Sequence, residues 1–307
     1  MNPTVAARAD ELRQARLPFV HARVVRAERP TSAKPGDEAV VLADGTIEGF
    51  VGGVCAEATV RAQSLSLLDS GDSLLLRILP EEGAAGPPPE GSDGSLTVVN
   101  PCLSGGTLEI FLEPVVPAPR LVVVGTSPTA HAIIRLSAAL GYVATSWDGA
   151  VPPDAAAVVV AAHGLDEDEA LVAALRAETP YVGLVASRKR AEAVLAGLDL
   201  CTSLTARVRS PAGMDIGART PEEVALSILA EFVASRPQPS GRSIVVDGAG
   251  SAATAVDPVC GMTVPTVEAS LHLDHEQPDG RVNRTWFCGS GCLRAYAADP
   301  SAYPGNA

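Results

Sequence analysis

The sequence predicts an α/β protein in three parts: an N-terminal α+β domain, a Rossmann-like parallel-sheet domain, and a small cysteine-rich C-terminal module. Three observations carry this expectation. Between Leu121 and Ser235, apolar strand-like runs alternate with helical periodicity, the pattern of successive βα units in a doubly wound sheet. Before Pro114, strand and helix patterns are mixed without that alternation, as in an α+β domain. Beyond Ala255, three cysteines recur as C-x27-C-x3-C in a segment too short to depend on an apolar core alone. The proline-punctuated connector from Pro114 to Pro119 and the Pro/Gly/Ser/Ala stretch from Ser235 to Ala255 mark the joints. The expected domains are therefore 1–116, 120–236 and 256–304, with 237–255 as a flexible linker.

Taken in order, the chain begins with a helix over 4–16 and a strand over 19–27. Segments 38–43 and 46–51 form a hairpin about Asp44-Gly45, which supplies the positive φ angles of a tight turn. A helix is predicted over 56–69 and strands over 73–79, 95–99 and 107–113, with a mobile loop at 83–94. In the second domain strands fall at 121–124, 142–147, 155–162 and 181–185, and helices at 128–140 and 167–178. A last helix opens at Thr220-Pro221-Glu222-Glu223, where Thr220 and Glu223 form a capping box and Pro221 suits the first turn. Its apolar face is Val224, Ile228, Leu229 and Phe232.

Composition narrows the function. Apolar residues make up 47% of 307, enough for a sizeable core, while aromatics at 4% leave packing to small aliphatic side chains. The net charge of −13 is spread so that no part is basic, which argues against nucleic acid as a partner. No apolar run reaches the roughly 18 residues of a membrane span, and the polar N-terminus has no signal-peptide core, so a cytoplasmic protein is expected. There the six cysteines are ligands, reactive thiols or core residues rather than disulfides.

Several constellations could carry chemistry. Gly52-Gly53-Val54-Cys55-Ala56-Glu57 joins a strand to a helix, so paired glycines admit a close backbone approach and the helix field favours a thiolate at Cys55. Pro101-Cys102-Leu103-Ser104-Gly105-Gly106 repeats the arrangement. Together the two thiols suit a soft ligand such as molybdenum, copper or sulfur, although a cysteine taken singly is more often a small buried hydrophobe. Gly125-Thr126-Ser127-Pro128-Thr129-Ala130 follows the first strand of the parallel sheet but keeps only one glycine of a dinucleotide fingerprint. Asp148 stands where an acid grips a ribose. His163 and Asp166, after the strand 155–162, could hold a phosphate, relay a proton or simply cap the next helix. Cys260, Cys288 and Cys292 form a candidate zinc or soft-metal site, with His272 or His275 as a possible fourth ligand, or else a redox-sensitive thiol cluster.

With these residues in view, the chain resembles the XdhC/CoxI family of molybdoenzyme accessory proteins, extended by a YHS-type module. The resemblance rests on Arg29-Pro30-Thr31-Ser32-Ala33-Lys34-Pro35-Gly36, GGVCAE at 52–57, TLEIFLEP at 107–114, YVGLVASRKR at 181–190 and RSPAGMDIGARTPEEVALSILAEFVASR at 209–236. DPVCGM, FCGSGC, Asp299-Pro300 and Tyr303 carry the resemblance to a YHS domain. It implies a chaperone that binds molybdenum cofactor and delivers the sulfurated form to a xanthine dehydrogenase-like or carbon monoxide dehydrogenase-like enzyme. It works by binding and hand-over rather than turnover. Cys55 and Cys102 become contacts to molybdenum or its sulfur; Gly52, Gly53, Gly105 and Gly106 admit the pterin, beside Glu57. Gly125, Asp148, His163, Asp166, Ser187 and Arg188 line a crevice, with Arg188 as a phosphate partner. The implied partners are an apo-molybdoenzyme and cofactor-biosynthesis or sulfuration proteins; a homodimer is the open alternative to a monomer. Ser127-Pro128, where the family commonly has a glycine-rich turn, argues against NAD(P). The alternatives are an NAD(P)-dependent oxidoreductase, discriminated by thermal protection with NAD(P)H, and a metal sensor or delivery protein acting through the C-terminal module.

Overall fold

The computed structural model describes residues 3–80, 94–99, 106–162, 164, 166–236, 253–276 and 282–303. The expected loop at 83–94, apart from Gly94, and residues 237–252 of the expected linker lie outside these residues. The chain divides into two compact units, Met1–Pro117 with Pro239–Ala307, and Ala118–Gln238. Among the described residues no helix is long and apolar enough to cross a membrane.

The N-terminal domain contains α1 (Pro3–Gln14), β1 (Phe19–Glu28), β2 (Glu38–Leu42), β3 (Ile47–Gly49), α2 (Val54–Ser70), β4 (Leu74–Leu79), β5 (Ser95–Val99) and β6 (Thr107–Val115). They form one mixed sheet in the order β3-β2-β1-β6-β4-β5, with α1 and α2 packed on it. The β2–β3 hairpin turns where expected, because Gly45 takes φ +85° and the Asp44 carboxylate accepts the Thr46 amide at 2.8 Å. Alternate residues of β1 and β6 (Val20, Ala22, Val24, Ile110, Leu112) bury against Val60 and Leu67 of α2. That packing fixes the N-terminus of α2 beside the start of β6 and so positions the GGVCAE turn.

The second unit contains β7 (Arg120–Val124), α3 (Pro128–Ala139), β8 (Val143–Ser146), β9 (Ala155–Val160), α4 (Glu167–Arg176), β10 (Tyr181–Leu184), α5 (Arg188–Gly197), α6 (Thr202–Thr205), β11 (Val208–Arg209) and α7 (Pro221–Ser235). All its strand pairs are parallel, in the order β8-β7-β9-β10-β11. The order reverses between β7 and β9, where doubly wound sheets open a crevice. Helices cover both faces, so the central strands are apolar throughout. Leu121, Val123, Ala157 and Val159 pack with Ile133 of α3 and Ile228 and Phe232 of α7. Val122, Val124, Val158 and Val160 pack with Leu171, Leu175 and Ala191 on the other face. The capping box of α7 is complete: the Thr220 hydroxyl accepts the Glu223 amide, and the Glu223 carboxylate accepts the Thr220 amide.

The C-terminal module contains β12 (Thr254–Val256), β13 (Thr263–Pro265), β14 (Leu271–Glu276), β15 (Val282–Phe287) and α8 (Ser290–Ala298), as two antiparallel hairpins and a helix. Its strands begin at Thr254, inside the segment expected as linker. The module packs on the N-terminal domain: Val264 and Cys288 share an apolar cluster with Ala58 of α2, and the hairpin tip at Gly45 lies against Val267.

Candidate cofactor and metal sites

The C-terminal module gathers its three cysteines at one point. The Cys260 and Cys288 sulfurs are 3.4 Å apart, and those of Cys288 and Cys292 are 3.6 Å apart. Tetrahedral thiolates about 2.3 Å from zinc lie roughly 3.8 Å from one another, so the spacing fits a single soft ion. One carboxylate joins the group: donor atoms of Asp257, Cys260, Cys288 and Cys292 all fall within 4.8 Å of one another. His272 and His275, weighed as fourth ligands, are not in it. The His272 ring meets the Ser270 carbonyl at 2.9 Å and packs on Trp286, while His275 faces Tyr296. Spacing counted the ligands, but strand register chose which of them converge.

Local structure explains the convergence. The Asp257 amide donates to the Met262 carbonyl and the Gly261 amide to the Asp257 carbonyl, closing DPVCGM into a turn with Cys260 at its tip. The Asp257 side chain is fully buried; its Oδ1 accepts the Val259 amide at 2.8 Å and its Oδ2 the Cys288 amide at 2.7 Å. One carboxylate thus clamps the turn to the end of β15. Cys292, in the first turn of α8, is brought back beside Cys288, and no disulfide joins them. The three thiols are unequal. A hydrogen bond with Cys288 lowers Cys260 to about 7. Cys288 is driven far up by its hydrogen bonds with Cys260 and Cys55 and by burial, and burial pushes Cys292 up to about 12. A bound cation would lower all three, because it favours every thiolate.

The GGVCAE turn forms the N-terminus of α2. Gly52 takes φ +142°, and a Cβ there would press on Ala56 and Leu108. Gly53 is the N-cap residue, exposed, at an ordinary φ of −73°, with no atom within 4 Å of where a Cβ would stand. No side-chain hydrogen bond caps this helix at its N-cap residue. Cys55 and Glu57 follow in the first turn, partly buried. Gly106 has a different environment: a Cβ there would stand 2.2 Å from the Pro30 carbonyl oxygen and 2.7 Å from that of Glu28. Cys102 and Gly105 lie outside the described residues.

Of the residues expected in one crevice of the second unit, Ser187 and Arg188 line a cavity, and Gly125, Asp148 and Asp166 are not among its lining residues. Gly125, at φ +104°, lets its loop touch the loop after β9, since a Cβ would stand 2.8 Å from the Ala161 carbonyl oxygen. Ser127 and Pro128 account for the altered fingerprint. The Ser127 hydroxyl accepts the Ala130 amide at 3.1 Å, and Pro128 has no amide hydrogen, so α3 meets its own first-turn demand. Asp148 is exposed and turns back to the Ala150 amide, and Asp166 is the exposed N-cap residue of α4. His163 lies outside the described residues.

Ser187 and Arg188 do line a cavity, of about 680 Å³, at the C-terminal edge of β10. Its other wall is the segment Pro211–Ala218, including Gly213, Met214 and Asp215, which sequence reasoning did not single out as a site. That wall is pinned by Glu231, whose Oε2 accepts the Gly213 amide at 2.8 Å and the Tyr181 hydroxyl at 2.7 Å. Burial and the bond to Glu231 hold the Tyr181 phenol protonated far above its ordinary value. The floor is steadied by Arg190, paired through both guanidinium nitrogens with buried Glu167. The readable signal is the glycine-bearing run GMDIGA, with Met214 and Ile216 exposed, beside a capped helix.

An α+β domain and a separate doubly wound parallel-sheet unit define a two-domain α/β protein. Residues 12–78 match the model of the XdhC and CoxI family, and residues 121–232 match the XdhC Rossmann domain. The chain belongs to the XdhC/CoxI family. It is 28% identical over 81% of its length to an Escherichia coli protein, YqeB, described as uncharacterised, covering 51% of that protein. A Bacillus subtilis protein described as a probable subunit of xanthine dehydrogenase is 28% identical over 42% of this chain and 47% of its own. The chain thus spans about half the length of these curated relatives. A crystal structure described as a xanthine dehydrogenase from Bacillus halodurans aligns over 77% of this chain and 97% of its own, with 17% identity and a TM-score of 0.36.

Proposed function

We propose that this protein binds molybdenum cofactor at the GGVCAE turn and hands it, in sulfurated form, to a xanthine dehydrogenase-like or carbon monoxide dehydrogenase-like enzyme. The observation that carries the reading is the open approach at Gly53, one residue before the uncapped amides of α2 and two before Cys55. Helix amides suit the anionic end of a pterin phosphate, and a thiol in the first turn suits molybdenum or its sulfur. Cys102 is the proposed second thiol. Ser187 and Arg188 are proposed to hold an anionic group at the cavity of the second unit, where a guanidinium can bind phosphate bidentately. When bound, the cofactor supplies the redox-active metal centre; this chain supplies orientation and shelter, without turnover of its own.

Family membership and the description of the Bacillus subtilis relative support this reading. An apo-molybdoenzyme and the cofactor's biosynthetic or sulfurating proteins are the proposed partners, with the cytoplasm as the site of exchange. NAD(P) is disfavoured because Ser127 and Pro128 occupy the fingerprint turn. A second reading, metal sensing or delivery through the C-terminal module, is favoured by the converged donor group.

Hand-over is testable directly. Anaerobic mixing of the cofactor-loaded chain with an apo-enzyme of the xanthine dehydrogenase class is expected to restore activity faster than equimolar cofactor alone. Equal rates with and without the chain would remove the delivery role.

A further inference from the structure

We infer that the C-terminal module is a cover over the thiol side of the α2 turn, and that its lifting opens Cys55 to a ligand. What enters rests on the proposed function; the cover itself rests on the packing of α2. That helix has two buried sides. Ala56, Val60 and Leu67 join the N-terminal core. Val54, Ala58 and Arg61, spaced i, i+4 and i+7, form a second stripe, and the module is seated along it. Val54 lies against Gly289, where an added Cβ would come within 3.1 Å of the Val54 Cγ1. Ala58 clusters with Val264 and Cys288 of the module instead of the sheet core, and is only 1% exposed. Arg61 donates from Nε to the Gly45 carbonyl at 2.7 Å, tying the β2–β3 hairpin tip to the helix. That tip meets the module in turn, since the Val267 Cγ2 lies 2.8 Å from where a Gly45 Cβ would stand.

Cys55 stands at the flank of this seat. It follows Val54 directly and precedes Ala58 by three residues, so helical geometry sets it beside two residues that touch the module. It is partly buried there. At the other end the cover stops: Val54 keeps 47% of its surface exposed, and an added Cβ at Gly53 meets no atom within 4 Å. A ligand thus finds the glycine end of the turn free and the cysteine end closed. Both ends open together once the module is displaced. The seat is apolar and small, with Ala58, Gly45 and Gly289 at its contact points, and limited contacts of this kind within one chain permit relative motion.

Iodoacetamide labelling of the reduced full chain, read at each cysteine by peptide mass spectrometry, measures the cover without any cofactor. Ala58→Gln puts an uncharged amide into the apolar seat and leaves the sheet-facing residues of α2 untouched. It is expected to speed the labelling of Cys55 about tenfold, the shift that one unpaired buried amide imposes on a docked contact. Val267→Asn acts from the module side, away from α2, and should raise the same rate. Cys201, exposed in the second unit, is the reference whose rate stays fixed. Absence of a rise in either variant would overturn the cover, because a rise in Ala58→Gln alone is local to the helix. A wild-type rate at Cys55 equal to that of the urea-unfolded chain would overturn it as well. Faster labelling in both variants, with no pterin retained by any of the proteins, would end the cofactor reading and leave the cover standing.

Discussion

Replacing Cys288 by serine, or stripping metal from the reduced chain with a chelator, is expected to unfold the C-terminal module while leaving the parallel-sheet unit intact. The module consists of two short hairpins and one helix, and its apolar cluster is small: Val264 and Cys288, with Met262, Trp286 and Cys292 partly buried and Ala58 lent by α2. Segments of this size rarely hold a fold by burial alone. A structural zinc site can contribute on the order of 10 kcal/mol, more than such a cluster can supply. Cys288 is the substitution with the largest effect because it touches every part of the site. Its sulfur meets those of Cys260 and Cys292, and its amide is held by Asp257. Hydrogen exchange read by mass spectrometry should show lost protection over 253–276 and 282–303, with Ala155–Val160 unchanged. Retained protection in the module after complete metal removal would mean that thiol packing, not a metal, holds it.

Gly106→Ala is expected to lower the stability of the N-terminal unit by about 4 kcal/mol, at the severe end for a single substitution. The new methyl would stand 2.2 Å from the Pro30 carbonyl oxygen and 2.7 Å from that of Glu28, both main-chain atoms near the end of β1. Neither can rotate away as a side chain would. Because β6 starts at Thr107 and pairs with β1 through Glu28↔Thr107, relief requires the central strand pair to part. Urea denaturation of the variant measures the loss. A change below about 1 kcal/mol, within the ordinary range for tolerated substitutions, would show that this crossing is looser than described.

That contrast between Gly106 and Gly53 marks what the sequence could and could not convey. Both belong to glycine pairs beside a cysteine, and both read as openings for a ligand. Only the fold shows that Gly106 is filled by the protein's own main chain while Gly53 faces open space. Local chemistry was legible wherever it acts over a few residues. The Asp44-Gly45 turn, the Thr220–Glu223 capping box and the alternating βα pattern all translate into the elements described. The convergence of Cys260, Cys288 and Cys292 was legible from ligand spacing. The part played by Asp257 was not, because its signal is main-chain capping rather than ligand chemistry. Nor was the docking of the module on α2, since a contact between residues near 55 and near 288 leaves no periodicity to read. The cavity walled by Pro211–Ala218 escaped notice for a similar reason. Glu231, eighteen residues past Gly213, organises that wall through a long-range hydrogen bond.

Cofactor affinity at the α2 turn is the most direct measurement of the function proposed. Gly53→Val fills the open approach, where an added Cβ meets no atom within 4 Å, at a stability cost of about 1 kcal/mol for a poorer N-cap residue. Titration of the anaerobic full chain with sulfurated molybdenum cofactor, followed by pterin fluorescence, should give saturable binding, weakened at least tenfold in Gly53→Val under conditions where both proteins are folded. Equal affinity in the two proteins, or no retention of the pterin by either, would contradict it.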